Sequence, residues 1–142
     1  MRALLDVNVL IALLDANHVH HAKARAWMSA HGQLGWSSCA ITINGCVRIM
    51  SNTAYPNAMP LAEIIARLRE ATQQAGHESL GCDVSLLDHL RFDPNRLLIS
   101  SQLTVIYLLG LAVAHQERLV TFDTRISLLA VHGASSEHLV KI

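Results

Sequence analysis

The sequence carries no net charge and contains few cysteines, and each of these features argues against a class of protein. Its 11 Lys and Arg residues balance its 11 Asp and Glu residues. A protein that binds nucleic acid mainly by counterion release needs a strong basic excess, so this class is disfavoured, although a local basic patch stays open. The three cysteines, Cys39, Cys46 and Cys82, are an odd number without metal-ligand spacing. We therefore expect three reduced core thiols in an intracellular protein.

Long apolar segments are also missing. The N-terminus has no extended apolar stretch followed by a small-residue cleavage site, so we predict no secretion signal. No apolar run reaches membrane-spanning length, and we expect a cytoplasmic protein without a membrane partner. Aromatic residues make up only 4% of the chain, whereas hydrophobic residues make up 51%. A chain of 142 residues with an aliphatic core fits one domain over residues 1–142.

What the sequence does contain is an alternation of short apolar strands with helical patterns. We predict strands at residues 3–6 and 33–38 and in the segments RLVTFD and HLVKI. We predict helices at residues 8–14, 18–30, 41–50, 61–74 and 101–115. The segment GCDVSLLDHL is interpreted as a short strand or turn followed by a helical turn. Apolar strands alternating with helices are typical of a three-layer α/β/α sandwich with a central parallel sheet.

Two of the predicted strands end in an aspartate, Asp6 in ALLD and Asp123 in LVTFD. If these strands are parallel neighbours, both carboxylates reach the sheet edge where such folds place their functional crevice. Like charges raise each other's pKa unless a cation lies between them, and Mg²⁺ or Mn²⁺ suits a carboxylate pair. Asn8 follows at the start of the next helix, and Thr121 and Arg125 flank the second acid. The plainer role of a helix N-cap stays open for each aspartate.

Five segments together resemble a PIN domain, and within that fold the VapC toxins of bacterial toxin–antitoxin pairs. They are LLDVNVLIALLD, TINGCVRIMSN, DVSLLD, LTVIYLLGLAVAH and RLVTFD, and their order and spacing match over nearly the whole chain. The resemblance implies a PIN-like fold and an endoribonuclease in which acids hold Mg²⁺ or Mn²⁺ and a metal-activated water attacks RNA. It places the first metal-binding, catalytic acid on Asp6, with Asn8 as neighbour, and the last on Asp123. It also implies a homodimer and a VapB-like antitoxin.

Two middle acids of the family pattern are missing from this chain. Many relatives have a Glu just before the NG of the third helix, where this chain has Ile43. Relatives also have an Asp after the Thr that opens the late helix, whereas here Val105 follows Thr104. A valine side chain cannot bind a hard cation. We therefore expect weak or no ribonuclease activity from this chain.

Three accounts of this loss stay open. The chain is an active nuclease with a sparse site to which Asp83, Asp88 or Asp93 contributes, an attenuated or inactive nuclease, or a module that only binds an antitoxin or RNA. A rival enzyme class, the haloacid-dehalogenase-like phosphatases, also begins with a strand ending in Asp over Mg²⁺. That class needs a second Asp where Asn8 stands and a late Lys, for which Lys141 is too near the end.

Several other side chains carry weaker signals. Arg48 and Arg125 are candidate contacts for RNA phosphate, in which role they would position the substrate. For Arg48, a contact to the antitoxin and a merely solvated side chain stay open as alternatives. Tyr107 is interpreted mainly as a packing residue because its helix is so apolar. The HVHH cluster at residues 18–21 is interpreted as solvated, since it lacks the further ligands of a metal site.

Overall fold

A computed structural model describes residues 1–97 and 99–142 of the chain. The strands are β1 (Ala3–Leu5), β2 (Trp36–Cys39), β3 (His77–Leu80), β4 (Arg118–Thr121) and β5 (Leu139–Lys141). The helices are α1 (Val7–Leu14), α2 (His21–His31), α3 (Ala40–Met50), α4 (Leu61–Thr72) and α5 (Leu103–Ala114). The strands are parallel, in the order β3-β2-β1-β4-β5. The predicted parallel sheet with flanking helices is therefore confirmed.

The core lies on both faces of this sheet because successive strand side chains point to opposite faces. Leu4 and Leu119 pack into a cluster that includes the buried face of α5. Leu5 and Val120 pack into a second cluster with residues of α1, α3 and α4. All four side chains are fully buried. Apolar residues at consecutive strand positions thus explain why helices cover the sheet on both sides.

In the first third of the chain, two elements differ from their predicted bounds by more than one residue. Helix α2 begins at His21 rather than at residue 18, because the HVHH segment forms a turn in which the His21 N–H donates to the His18 carbonyl at 3.0 Å. Strand β2 is shifted toward Cys39 because Gly32–Leu34 form a 3₁₀ turn. Gly35 ends that turn at φ 87°, a left-handed conformation that glycine adopts without strain.

The GCDVSLLDHL segment contains no strand, which corrects the alternative of a short strand there. Strand β3 instead ends at Leu80, immediately before the segment. Its sequence HESL carries almost no apolar signal because β3 is an edge strand, with Glu78 and Ser79 exposed. Helix α5 begins at Leu103, two residues later than predicted, after a 3₁₀ turn at Ser100–Gln102.

The register of the central strands brings the two strand-end acids to one edge. Leu5 of β1 pairs with Val120 of β4, and the Asp6 N–H donates to the Val120 carbonyl at 3.0 Å. Helix α1 begins at the next residue, Val7. Asp6 therefore lies at the junction of β1 and α1, beside the carboxyl end of β4.

Two further expectations concern the burial of the cysteines and the presence of membrane-spanning helices. Cys39 and Cys46 are buried free thiols, as expected, but Cys82 is exposed in the coil that follows β3. The expectation of three core thiols is therefore wrong for Cys82. Over residues 1–97 and 99–142, no helix combines the length and the apolar character required to cross a membrane.

Helix α5 packs tightly against Phe92 because a glycine lies at the contact. A Cβ atom on Gly110 would lie 2.3 Å from Cζ of Phe92. Phe92 is only 1% exposed, and its ring lies parallel to that of Tyr107 with 6.3 Å between centroids. The ring is thus enclosed on several sides, and a larger residue at position 110 forces the core to rearrange.

We expect Gly110→Ala to lower the free energy of unfolding by about 1–3 kcal/mol, because overpacking at the Phe92 ring outweighs the gain in helix propensity. Urea unfolding followed by circular dichroism measures this change. Gly81→Ala is the matched control, since a Cβ at Gly81 meets nothing within 4 Å. Equal or greater stability of Gly110→Ala would show that the ring is free to move.

Candidate active-site pocket

Asp6 is held by hydrogen bonds to both of its carboxylate oxygens. Oδ1 accepts from the backbone N–H of Val7 at 2.7 Å, which makes Asp6 the N-cap of α1. Oδ2 accepts from the hydroxyl of Thr121 at 2.7 Å. The carboxylate is 7% exposed. Asp6 is therefore the N-cap of α1, a role that the sequence left open, and it also lies at the carboxyl edge of the sheet.

Thr121 connects the two acids across neighbouring strands. Its hydroxyl, which donates to Asp6, also accepts from the backbone N–H of Asp123 at 3.1 Å. Thr121 is fully buried at the end of β4, so water does not compete for these bonds. One buried hydroxyl therefore fixes the Asp6 side chain relative to the backbone of Asp123.

The environment of Asp6 opposes its ionisation. Burial raises the pKa of Asp6 above its usual value of 3.8, and the nearby charge of Asp123 raises it further. The hydrogen bonds from Thr121 and Val7 act in the opposite direction but are outweighed. The ionised form of Asp6 is thus less stable here than in the unfolded chain.

A pocket of about 500 Å³ opens beside the two acids, at the carboxyl edge of the sheet. It is lined by Asp6, Val7, Asn8, Ile41, Asn44, Gly45, Arg48, Ile49, Ser101, Thr104, Val105 and Asp123. The structure therefore brings together Asp6, Asp123 and three of their predicted neighbours, which are Asn8, Thr104 and Arg48. Thr121 lies beneath the pocket and supports it through Asp6.

Two polar residues of the pocket were missed in the sequence analysis. Asn44 precedes Arg48 by four residues on α3, and residues four apart lie on the same helix face. That spacing would have found Asn44 once Arg48 was chosen. Ser101 lies three residues before Thr104, in the 3₁₀ turn that leads into α5. No periodic signal marks it, because the turn is not part of the helix.

Helix α3 approaches α1 closely because of a glycine in the pocket wall. A Cβ at Gly45 would lie 2.9 Å from Cγ2 of Val7. This close contact brings Asn44 and Arg48 to the same pocket as Asp6. The glycine of the NG dipeptide therefore lets α3 lie close to α1 and so sets the width of the pocket. It does not form a turn.

The two positions at which the resemblance expects an acid lie in different places. Val105 lines the pocket together with Thr104 and is 7% exposed. Ile43 instead lines a separate groove with Val47 and Ile65 and packs against the core on that side. Of these two positions, only Val105 therefore lines the pocket with the two aspartates, because α3 turns Ile43 toward the other groove.

Arg125 lies beside Asp123 rather than in the pocket wall. Oδ1 of Asp123 accepts from the Arg125 backbone N–H at 2.8 Å and lies 3.5 Å from Nε of its guanidinium. The Arg125 side chain is 66% exposed, so this ion pair adds little stability. The Arg125 guanidinium nevertheless places a positive charge at the rim of the pocket.

The residues present do not fit a metal centre of three or four acids. Among the residues that line the pocket, carboxylates come only from Asp6 and Asp123. Each oxygen of Asp6 accepts one hydrogen bond, which leaves a lone pair on each oxygen for a cation. In the part of the chain that the structure describes, no group of three or more His, Cys, Asp or Glu side chains is suited to a metal ion.

None of the three other candidate acids replaces the missing one. Asp83 lies 2.9 Å from Nε2 of His115, at the far end of α5 from the pocket. Asp88 accepts from the Leu90 N–H, and Asp93 accepts from the Asn95 N–H. The Asp88 and Asp93 carboxylates close local turns, Asp83 pairs with a distant histidine, and none of the three acids lines the pocket.

The aromatic and histidine candidates have packing roles. The Tyr107 hydroxyl donates to the Val84 carbonyl at 3.0 Å, and the residue packs against the core, as its interpretation predicted. The HVHH segment forms a turn in which Nδ1 of His21 hydrogen-bonds the Ala12 carbonyl at 2.7 Å. The ring of His20 stacks on Phe122 with 4.6 Å between centroids.

Because burial raises the pKa of Asp6, we expect the parent to lose stability as the pH rises from 3.8 through that raised pKa. Asp6→Asn does not ionise and should lack this part of the pH dependence. The difference in free energy of unfolding between Asp6→Asn and the parent should therefore shift in favour of the variant as the pH rises.

Urea unfolding across this pH range measures the difference. Glu70→Gln, which neutralises an exposed carboxylate on α4, is the control and should be nearly neutral at every pH. A difference between Asp6→Asn and the parent that stays constant with pH, or that shifts in favour of the parent as the pH rises, would contradict this account of the Asp6 environment.

Comparison with known proteins gives close relatives along the full chain. Ribonuclease VapC44 of Mycobacterium tuberculosis is 51% identical over 142 residues, which cover 100% of both chains. Ribonuclease VapC38 of the same organism is 41% identical over 130 residues, covering 90% of this chain and 89% of the relative. No protein-family model matches the chain.

Among solved structures, the crystal structure of VapBC2 from Rickettsia felis bound to a DNA fragment from their promoter is similar in fold. The match has a TM-score of 0.59 and covers 87% of this chain and 89% of that chain, at 12% sequence identity. The chain belongs to the VapC family of ribonucleases, the PIN-domain toxins of toxin–antitoxin systems.

Proposed function

We propose that this chain is the toxin of a VapBC-type pair in which metal-dependent RNA cleavage is weakened or lost. The observation that carries the proposal is Val105, whose buried side chain lines the pocket beside Thr104. The family resemblance expects an aspartate at this position. A valine there removes one oxygen ligand and puts methyl groups against the space that a hydrated cation needs.

The remaining acids support weak metal binding. Mg²⁺ can be held by one or two carboxylates together with substrate phosphate oxygens, so Asp6 and Asp123 are the proposed ligands of any bound Mg²⁺ or Mn²⁺. A bound ion would lower the pKa of a water and stabilise charge on the phosphate. Because changes in residues behind the ligands already cost about 10–100-fold in affinity or activity, loss of a ligand should cost at least as much.

A catalytically inactive module that binds an antitoxin or RNA is the second candidate. It is favoured by the pocket itself, which keeps hydrogen-bonding groups although an acid is lost. Asn8, Asn44 and Thr104 line it together with Arg48. The two candidates differ only in whether metal-dependent cleavage survives. The site of action in either case is the cytoplasm, where cellular RNA and an antitoxin are present.

An apolar groove supports the proposed antitoxin partner. A groove of about 480 Å³ lies between α1, α2 and α4, and most of its lining is apolar. Its lining includes Leu10, Leu13, Leu14, Met28 and Trp36. A groove of this kind suits the apolar face of a helix from a partner chain. We propose that the VapB-like antitoxin binds here.

For RNA cleavage, we expect Val105→Asp to be at least about tenfold more active than the parent in Mg²⁺ or Mn²⁺, because it restores a carboxylate at the pocket. Val105→Asn is the matched control, since it has the same shape as the aspartate without its charge. The measurement is the initial rate of cleavage of labelled cellular RNA by purified protein.

Addition of Asp6→Asn to Val105→Asp should abolish the regained activity. Thermal unfolding of each variant establishes that it is folded before rates are compared. Brisk cleavage by the parent, removed by Asp6→Asn, would overturn the proposal and show that two acids suffice. Equal rates for the aspartate and asparagine variants would show that charge at position 105 is not the missing element.

Exposed apolar side chains support the proposed homodimer. Leu87, Leu90 and Leu129 are 93%, 74% and 66% exposed. Burial of such residues in a stable interface is favourable. We expect sedimentation equilibrium to give twice the chain mass of 15.5 kDa. A mass of one chain at every concentration tested would contradict the dimer.

A further inference from the structure

Two of the three thiols come together at the ends of neighbouring strands. Cys39 is the last residue of β2, and the parallel register pairs it with Leu80, the last residue of β3. Neighbouring strands lie about 4.8 Å apart, and both of these side chains belong to the core cluster that includes α5. Cys82 follows Leu80 by two residues, in the coil that leaves the same end of β3. The sheet therefore brings together two cysteines that are distant in sequence.

Contacts with Tyr107 place the Cys82 thiol on the same side of the sheet as Cys39. The Tyr107 hydroxyl donates to the Val84 carbonyl at 3.0 Å, which holds the coil after β3 against α5. Burial, the charge of a Cys82 thiolate and a hydrogen bond with Cys82 together raise the pKa of Tyr107. Burial also raises the pKa of the Cys39 thiol, and a charge on Cys82 acts in the same direction. Such effects require short distances, so the two thiols and the hydroxyl form one cluster.

The two thiols differ in their access to solvent. Cys39 is only 1% exposed, whereas Cys82 is exposed. A dissolved oxidant therefore reaches Cys82, and Cys39 lies behind it as a second thiol, the arrangement found in many redox-sensing pairs. Gly81 precedes Cys82 in open space, since a Cβ there would meet nothing within 4 Å. The coil can thus bring the Cα of Cys82 to the separation of about 5.5 Å from Cys39 that a disulfide requires.

We propose that Cys82 is a site of oxidation by hydrogen peroxide and that Cys39 captures the product as a reversible disulfide. The Cys82 thiolate attacks one peroxide oxygen, the O–O bond breaks, and the other oxygen leaves as water after accepting the proton that Cys82 lost. Cys82 is then a sulfenic acid. The Cys39 sulfur attacks the Cys82 sulfur, the S–S bond forms, and the sulfenic hydroxyl leaves as water with the Cys39 proton. Two thiols are thereby oxidised while one peroxide is reduced.

The disulfide connects the edge of the sheet to one wall of the pocket through α3. Cys39 is the N-cap of α3, and the Thr42 hydroxyl accepts from its N–H at 3.0 Å and donates to its carbonyl at 3.1 Å. The same helix carries Asn44 and Arg48 into the pocket. A bond from Cys39 to Cys82 therefore ties the start of α3 to the end of edge strand β3. Local opening of both segments should become rarer in the oxidised chain.

The test is a count of free thiols in the full chain after treatment with a small molar excess of hydrogen peroxide. The protein is unfolded in iodoacetamide without a reductant, and its intact mass is measured. We expect the untreated chain to take up three blocking groups, one for each cysteine, and the oxidised chain to take up one, on Cys46. Dithiothreitol should restore the uptake of three, because it reduces the disulfide by thiol exchange.

Peptide mapping without reduction identifies the linked residues. Trypsin releases Cys39 and Cys46 in one peptide, since no Lys or Arg lies between them, so the mapping uses Cys46→Ala. Cys46 is buried, and burial raises the pKa of its thiol to about 12, so this variant should oxidise as the parent does. A linked peptide that contains Cys39 and Cys82 is the expected product.

Two further variants separate the steps. Cys82→Ser should form no disulfide at the same peroxide dose. Cys39→Ser keeps a residue suited to a helix N-cap and should leave a sulfenic acid on Cys82, which dimedone traps in a higher yield than in the parent. Amide hydrogen exchange of the oxidised parent should slow in β3 and in the first turn of α3, and it should not change in peroxide-treated Cys82→Ser.

Three results would overturn the proposal. The first is an uptake of three blocking groups by the peroxide-treated parent. The second is a disulfide between two copies of the chain, seen at twice the chain mass, because Cys82 would then react with a neighbouring molecule and not with Cys39. The third is unchanged hydrogen exchange in β3 and α3, which would show that no bond connects them. None of these measurements uses RNA, so they leave the proposed nuclease function to its own tests.

Discussion

The structure depends on a buried hydroxyl that connects two strands at the sheet edge. Thr121 donates to Asp6 and accepts from the N–H of Asp123, so the ends of β1 and β4 are held in one arrangement. Asp6 in turn caps α1 and thereby orients the helix that carries Asn8. Without Thr121, Oδ2 of the buried Asp6 carboxylate would lose its hydrogen bond, which is costly in an apolar environment. The pocket is therefore built on hydrogen bonds that do not require a metal ion.

This architecture explains why the pocket forms with a valine at position 105. The Val105 side chain packs into the apolar core with other residues of α5. A carboxylate at position 105 would add to the repulsion between Asp6 and Asp123. Stability and the proposed metal binding are thus opposed at this site, as is common where charges are gathered for function. A chain with fewer acids at this pocket remains stably folded, whereas its proposed cleavage activity is lower.

Much of the fold was predictable from the sequence because the strands are apolar on both faces. Such strands identify a parallel sheet covered by helices, and the aspartates that end β1 and β4 identify the functional edge. Strand β3 was missed because HESL lies at an edge, where burial imposes no pattern. Position 43 was assigned to the site from a family motif, but the rotation of α3 about its axis depends on packing that the motif does not specify.

The site was predictable where its residues follow strands or share a helix face. Asp6 and Asp123 were predicted because each of them follows a strand. Asn44 could have been predicted because it lies four residues from Arg48 on the same helix face. Ser101 could not, since it lies in a turn whose placement depends on the tertiary contact of Gln102 with the Arg125 carbonyl at 3.2 Å. The exposure of Cys82 likewise follows from the coil after β3 and not from its residue type.

The central claim is that position 105 determines whether this pocket holds a divalent cation. Titration of Mn²⁺ into the parent and Val105→Asp, with free Mn²⁺ followed by electron paramagnetic resonance, tests this without any substrate. The account predicts that the aspartate variant binds Mn²⁺ at least about tenfold more tightly than the parent. Equal and tight binding by both proteins would contradict it and show that Asp6 and Asp123 form a sufficient metal site.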